Sequence, residues 1–161
     1  MIVKRIIDED FCNYKKPAML IAFPYCTFKC NKECGKQICQ NSELFKSQNI
    51  KIKCSEIVDR YINNPITSAI VLGGLEPFDS WDDLQHIICE FRHKTLDDIV
   101  IYTGYTEDEM YSDFDYAIRY LKMFPNIIIK FGRFIPNQEK HFDEVLGVEL
   151  ASTNQYVERI S

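Results

Sequence analysis

Four cysteines, Cys26, Cys30, Cys34 and Cys39, fall within fourteen residues, directly after the apolar run Ala18-Met19-Leu20-Ile21-Ala22-Phe23. Thiols at this density are a donor set for a soft metal ion or an iron–sulfur cluster, because a thiolate is an anionic, polarizable ligand. Three thiolates holding a 4Fe–4S cluster leave its fourth iron free to take a small molecule. Cys26 and Cys30, with three residues between them, are the firm pair; the third ligand is open between Cys34, which continues the chain closely, and Cys39, which Ile38 precedes and Gln40-Asn41 follows. A structural zinc site is the plainer chemistry that four close cysteines support. Cys12, Cys54 and Cys89 stand apart from the cluster, and Cys89, in a helical pattern with Ile87 and Ile88, is expected to pack in the core. Seven cysteines is an odd number. The residues after Met1 turn acidic too early for a secretory leader, so the chain reads as a cytoplasmic protein with reduced thiols rather than a disulfide scaffold.

The elements that must position this loop follow from the apolar periodicity. At 161 residues the chain is expected to form one domain, residues 1–161, with the cluster loop at about 24–41. The net charge of −5 speaks against a nucleic-acid surface, which needs a basic patch, and no apolar run approaches the roughly 18–20 residues that cross a bilayer. Residues 18–23, 68–72, 98–102 and 126–130 read as buried strands. Between them lie helical patterns: one capped by Ser55 through Ile57, Val58 and Tyr61; one capped by Asp79 or Ser80 over Leu84, Ile87, Ile88 and Phe91; and one from Glu107 to Phe124. The thirty or so residues beyond read as mixed. Strand, loop, helix in repetition predicts an α/β fold, an open partial (β/α) barrel of mostly parallel strands, too short to close into eight. The cysteine loop, Gly73-Gly74, Thr103-Gly104 and Gly132 each follow a strand and should share one rim at the carboxyl ends.

In this order the motifs resemble those of the radical S-adenosylmethionine superfamily, and most closely its anaerobic ribonucleotide reductase activating proteins, short glycyl-radical activases. Gly73-Gly74-Leu75-Glu76-Pro77 is similar to the family's Gly-Gly-Glu-Pro with one residue inserted, and Ile101-Tyr102-Thr103-Gly104-Tyr105 to its Tyr-Thr-Gly-Tyr segment. Gly132-Arg133-Phe134 resembles an Asp-Gly-Arg-Phe turn, with Phe131 in place of the acid, and Ser152-Thr153-Asn154-Gln155 a C-terminal Gly-Ser-x-Asn-Gln. The family's Cys-x3-Cys-x2-Cys spacing is absent. The likeness spans residues 18–160.

The resemblance implies a 4Fe–4S cluster on Cys26, Cys30 and Cys39 (or Cys34), with S-adenosylmethionine as second cofactor. It implies that Gly73, Gly74 and Glu76 hold the methionine end, that Thr103 approaches the cofactor from the next strand and that Ile38 or a neighbour covers the adenine; Phe28 and Tyr25, aromatic residues beside Cys26, are expected to shield the cluster from water. No further catalytic residue is expected. The partners implied are an anaerobic ribonucleotide reductase or another glycyl-radical protein, and an electron donor such as flavodoxin or ferredoxin; neither nucleic acid nor membrane is expected. A radical enzyme on another peptide or small-molecule substrate, and a non-enzymatic iron–sulfur or zinc module, are the alternatives. Taken singly, each motif has a plainer role: Thr103 as a helix cap, Asn154-Gln155 as a solvated tail, Glu76 as a surface acid.

Overall fold

A computed structural model describes all residues, 1–161. The chain opens with β1 (Ile2–Val3), β2 (Arg5–Asp10) and β3 (Ala18–Phe23), followed by the short helices α1 (Lys29–Cys34) and α2 (Ser42–Lys46) and the two-residue β4 (Ile50–Lys51). Then α3 (Cys54–Ile62), β5 (Ala69–Gly74), α4 (Trp81–Arg92), β6 (Asp98–Tyr102), α5 (Glu107–Asp113), α6 (Asp115–Leu121) and β7 (Ile127–Phe131) alternate. Three short strands, β8 (His141–Asp143), β9 (Val148–Leu150) and β10 (Tyr156–Arg159), finish the chain.

The centre is a six-stranded sheet in the order β10-β7-β6-β5-β3-β2. β3, β5, β6 and β7 are parallel, and the edge strands β2 and β10 are antiparallel to their neighbours. The four central strands carry continuous rather than alternating apolar residues because both of their faces are covered. On one face Met19, Ile21, Ile70, Leu72, Ile99, Ile101, Ile127 and Ile129 meet the helices through Ile57, Tyr61, Leu84, Ile88, Phe91 and Ile118. Each such side chain contributes about 1.5–3 kcal/mol by leaving water. On the other face Ala69, Val71, Val100 and Ile128 are covered in part by Tyr14 and by Leu146 and Leu150 from the β8–β9 hairpin. The rest of that face is left open as a cavity.

Several local expectations change. Ser55 does not cap α3; the helix starts one residue earlier, and Lys53 precedes it without a side-chain cap. The span from Glu107 to Phe124 is two helices, broken at Phe114 (φ −130°), whose ring turns inward to pack on Phe78 and Tyr105. Thr106, not Thr103, caps α5, in a reciprocal capping box with Glu109. Cys89 is only half-buried, on the flank of α4 with its sulfur 3.9 Å from His93 Nδ1, whereas Cys54 is the cysteine in the core.

Candidate functional site

All the loops at the carboxyl ends of β3, β5, β6 and β7 open onto one cavity of about 690 Å³. Cys26, Cys30 and Cys39 line it, with Gly73, Gly74, Glu76, Thr103, Gly104, Lys130 and Arg133. Cys34, Phe28 and Ile38 do not: Cys34 ends α1 away from the cavity, Phe28 packs edge-on against Phe45 at 4.9 Å, and the Ile38 side chain stays half-buried beside the loop.

The cysteine loop is folded by one side chain. Asn31 Oδ1 accepts from the backbone N–H groups of both Ile38 (2.9 Å) and Cys39 (3.0 Å), so the chain doubles back and returns Cys39 to the neighbourhood of Cys30. Phe28 adopts a left-handed conformation (φ 54°), uncommon for a bulky residue. That conformation starts α1 and aims the Phe28 N–H at the Cys26 sulfur, 3.2 Å away. An N–H donor on a cysteine sulfur stabilises the thiolate and is one of the protein's controls over a bound cluster's potential. With no ligand at hand, burial pushes the Cys26 thiol up to about 12, against the pull of that N–H. The Cys30 thiol is also raised, by burial first and then by the neighbouring Cys39.

The loop is stitched to the strand ends around it. Asp79, just past β5, accepts from the Thr27 N–H (2.7 Å) and from the Tyr105 hydroxyl (2.6 Å). The Asn41 side chain donates to the Gly74 carbonyl, and the Glu76 N–H to the Tyr25 carbonyl. Arg133, beyond β7, grips both Glu109 oxygens (2.6 and 2.7 Å) and reaches Glu33 on α1 at 3.3 Å. Lys29 of α1 closes the circuit onto Glu109 at 3.1 Å. Sequence reading had no signal for these contacts, since each joins residues from different strand ends.

Glu76 is the most informative group. It is 4% exposed and its carboxylate accepts from the Thr103 hydroxyl (2.8 Å), the Gly104 N–H (2.8 Å) and the Phe78 N–H (3.2 Å). Burial holds its carboxyl up at about 7, although the Gly104 and Thr103 bonds favour the ionised form. Gly104 packs against it, its Cβ position lying 3.5 Å from Glu76 Oε2. Gly74 has φ +89°, and a Cβ there would stand 2.7 Å from Ala22, so the chain leaves β5 through a turn only glycine makes easily. Across the cavity Lys130, 7% exposed, donates to the Gly132 carbonyl at 2.6 Å; burial pulls its ammonium down to about 8 and Glu76 pulls the other way. The Asn154-Gln155 segment is no solvated tail, because its side chains donate to the Arg133 and Gly132 carbonyls and fasten the turn that carries Arg133.

No three His, Cys, Asp or Glu side chains converge as a set for a single metal ion. A polynuclear cluster makes a different demand, since its ligands attach to separate irons and the sulfurs need not share one point. Half-buried thiols on one cavity wall, one with an N–H on its sulfur, are a donor set that fits such a cluster. The family model of the 4Fe-4S single cluster domain matches residues 18–157, which take in the cavity's four strand ends. No curated protein and no solved structure matches the chain. No helix is long and apolar enough to cross a membrane.

Proposed function

Because the chain belongs to the 4Fe-4S single cluster domain family, we propose that this iron–sulfur protein is a radical S-adenosylmethionine enzyme of the glycyl-radical activase type. The six-stranded, mostly parallel sheet with its helices packed on one face is, in this proposal, the open partial barrel of such enzymes. Cys26, Cys30 and Cys39 hold the cluster, Cys39 being preferred over Cys34 because it alone of the two lines the cavity with Cys26 and Cys30. When bound and reduced, the cluster supplies the electron that cleaves the sulfonium C–S bond of S-adenosylmethionine to methionine and a 5′-deoxyadenosyl radical.

The single observation that carries the proposal is the Glu76 carboxylate, buried beside the cysteine loop with three donors fixing it. A buried carboxylate near neutrality is a costly feature unless a cation comes to it, and the ammonium of an amino-acid moiety is such a cation. Thr103 then acts through Glu76 by orienting its Oε1, and Gly73 and Gly74 offer backbone to the same moiety at close range. Hydrogen abstraction from a glycine of a partner reductase completes the activity proposed.

The test is anaerobic reconstitution followed by S-adenosylmethionine and a reductant, reading 5′-deoxyadenosine. Wild type and Cys34→Ala should make it; Cys39→Ala and Glu76→Ala should not. A fully loaded protein that makes none overturns the proposal.

A further inference from the structure

Charge is distributed very unevenly along this chain. Residues 29–53 contain six lysines, two glutamates and no other charged residue, a net +4, while the remaining 136 residues carry −9. This segment is α1, most of the cysteine loop, α2 and β4, and its Lys29, Cys30, Cys39, Asn41 and Leu44 form part of the cavity lining. Two of its lysines are paired, Lys29 with Glu109 and Lys46 with Glu43. Lys32, Lys36, Lys51 and Lys53 are exposed and stand outside every ion pair in the molecule. Phe45 of the segment is 47% exposed, and Tyr25, four residues before its start, is 50% exposed. The segment is held in place: Lys4 donates to the Phe45 and Ser47 carbonyls at 2.7 and 2.6 Å, and β4 pairs with β1.

Cys30 and Cys39 lie on this lysine-bearing segment and line the cavity, so a partner docked on the segment stands beside two of the three candidate cluster thiols. We infer that the face built by residues 29–53 is the docking surface for an acidic one-electron carrier protein that reduces the cluster. The inference rests on the function proposed above, which requires one electron per S-adenosylmethionine cleaved. On docking, the carrier is oxidised by one electron and the cluster reduced by one; no covalent bond changes. The remaining chain carries a net −9, so the net attraction for an acidic carrier falls on this segment and biases the encounter toward the side that bears Cys30 and Cys39. Unpaired lysines with one exposed aromatic ring, Phe45, match the modest, polar contacts of transient redox complexes, which bury under about 1,200 Å².

A flavodoxin is the probe. Its oxidised form is titrated calorimetrically into the reconstituted protein at low and high salt, and its reduced form is mixed with the same preparation to follow cluster reduction. Lys32→Glu/Lys36→Glu and Lys51→Glu/Lys53→Glu should each weaken binding and slow reduction by about tenfold or more, and added salt should do the same to wild type. Lys122→Glu, an equal charge change on an exposed residue after α6, should do neither. The second pair lies outside the cysteine loop and serves if the first pair loses its cluster. Reduced methyl viologen, a cation, should reduce every variant at the wild-type rate or faster, and 5′-deoxyadenosine formation driven by it reports the proposed function separately. If viologen drives cleavage but flavodoxin binding ignores salt and all four lysines, the docking inference is overturned while the function stands. If viologen drives no cleavage yet flavodoxin binding follows the lysines, the docking surface stands and the enzyme proposal falls. Protection of this face by a glycyl-radical protein in place of flavodoxin would also overturn the inference, by assigning the lysines to the substrate.

Discussion

Replacing Asn31 by alanine should loosen the cluster without touching a single thiol. Asn31 Oδ1 is the only side-chain acceptor for the Ile38 and Cys39 N–H groups, at 2.9 and 3.0 Å, and those two bonds fold the stretch between Cys30 and Cys39. Each is worth about 1 kcal/mol net, so about 2 kcal/mol of loop closure is lost. At about 1.4 kcal/mol per tenfold, the conformation that presents Cys39 becomes roughly 30-fold rarer relative to open loops. Cluster release to an iron chelator, followed by loss of visible absorbance, should quicken by about that factor, whereas Asn31→Asp, which keeps the accepting oxygen, should stay within a few-fold of wild type. The global melting temperature should hardly move, because α1 and the loop bury no residue completely. Wild-type retention in Asn31→Ala, together with cluster loss in Cys34→Ala, would refute the reasoning and hand the third ligand to Cys34.

Burial raises the Glu76 carboxyl to about 7, so between about pH 4.5 and 7 the folded chain binds more protons than the unfolded one. Stability of the cluster-free protein should therefore fall by about 3 kcal/mol as pH rises through that window and level off above it; Glu76→Gln should flatten the profile in denaturant titrations. Gly74→Ala puts a Cβ 2.7 Å from Ala22 at φ +89°. It should cost about 2 kcal/mol or more, lowering the melting temperature by about 4–8 °C, while Gly73→Ala, whose Cβ meets only the Tyr102 Cβ at 3.3 Å, should lower it less. Arg133→Leu removes the shared partner of Glu109 and Glu33 and should destabilise the loop by about 1–3 kcal/mol, read as faster hydrogen exchange in α1 with little change in β5 or β6.

The central strands were legible because Ile70-Val71-Leu72 and Ile99-Val100-Ile101 are continuous β-branched and apolar runs, a pattern that two covered faces require. The edge and hairpin strands were not: β2 is Arg-Ile-Ile-Asp-Glu-Asp, β8 is only three residues and part-buried, β10 is mostly exposed, and such short polar strands are specified by their neighbours. The break at Phe114 escaped periodicity because the apolar positions Met110, Phe114 and Ile118 keep helical spacing through it; aromatic packing on Phe78 and Tyr105 decides the kink. At the site, clustering in sequence made the cysteines and glycines visible. What holds them, Asp79 to Thr27, Arg133 to Glu109 and Thr103 to Glu76, joins residues 24 to 52 positions apart, and no local pattern records such pairs.

The most direct measurement is 5′-deoxyadenosine formed by the anaerobically reconstituted protein, with iron and sulfide quantified in the same sample. Reductant-dependent product from wild type, lost in Glu76→Ala at equal cluster content, is the result predicted. A cluster-replete wild type that leaves S-adenosylmethionine intact would contradict the account and leave an iron–sulfur protein whose buried Glu76 serves some other cation.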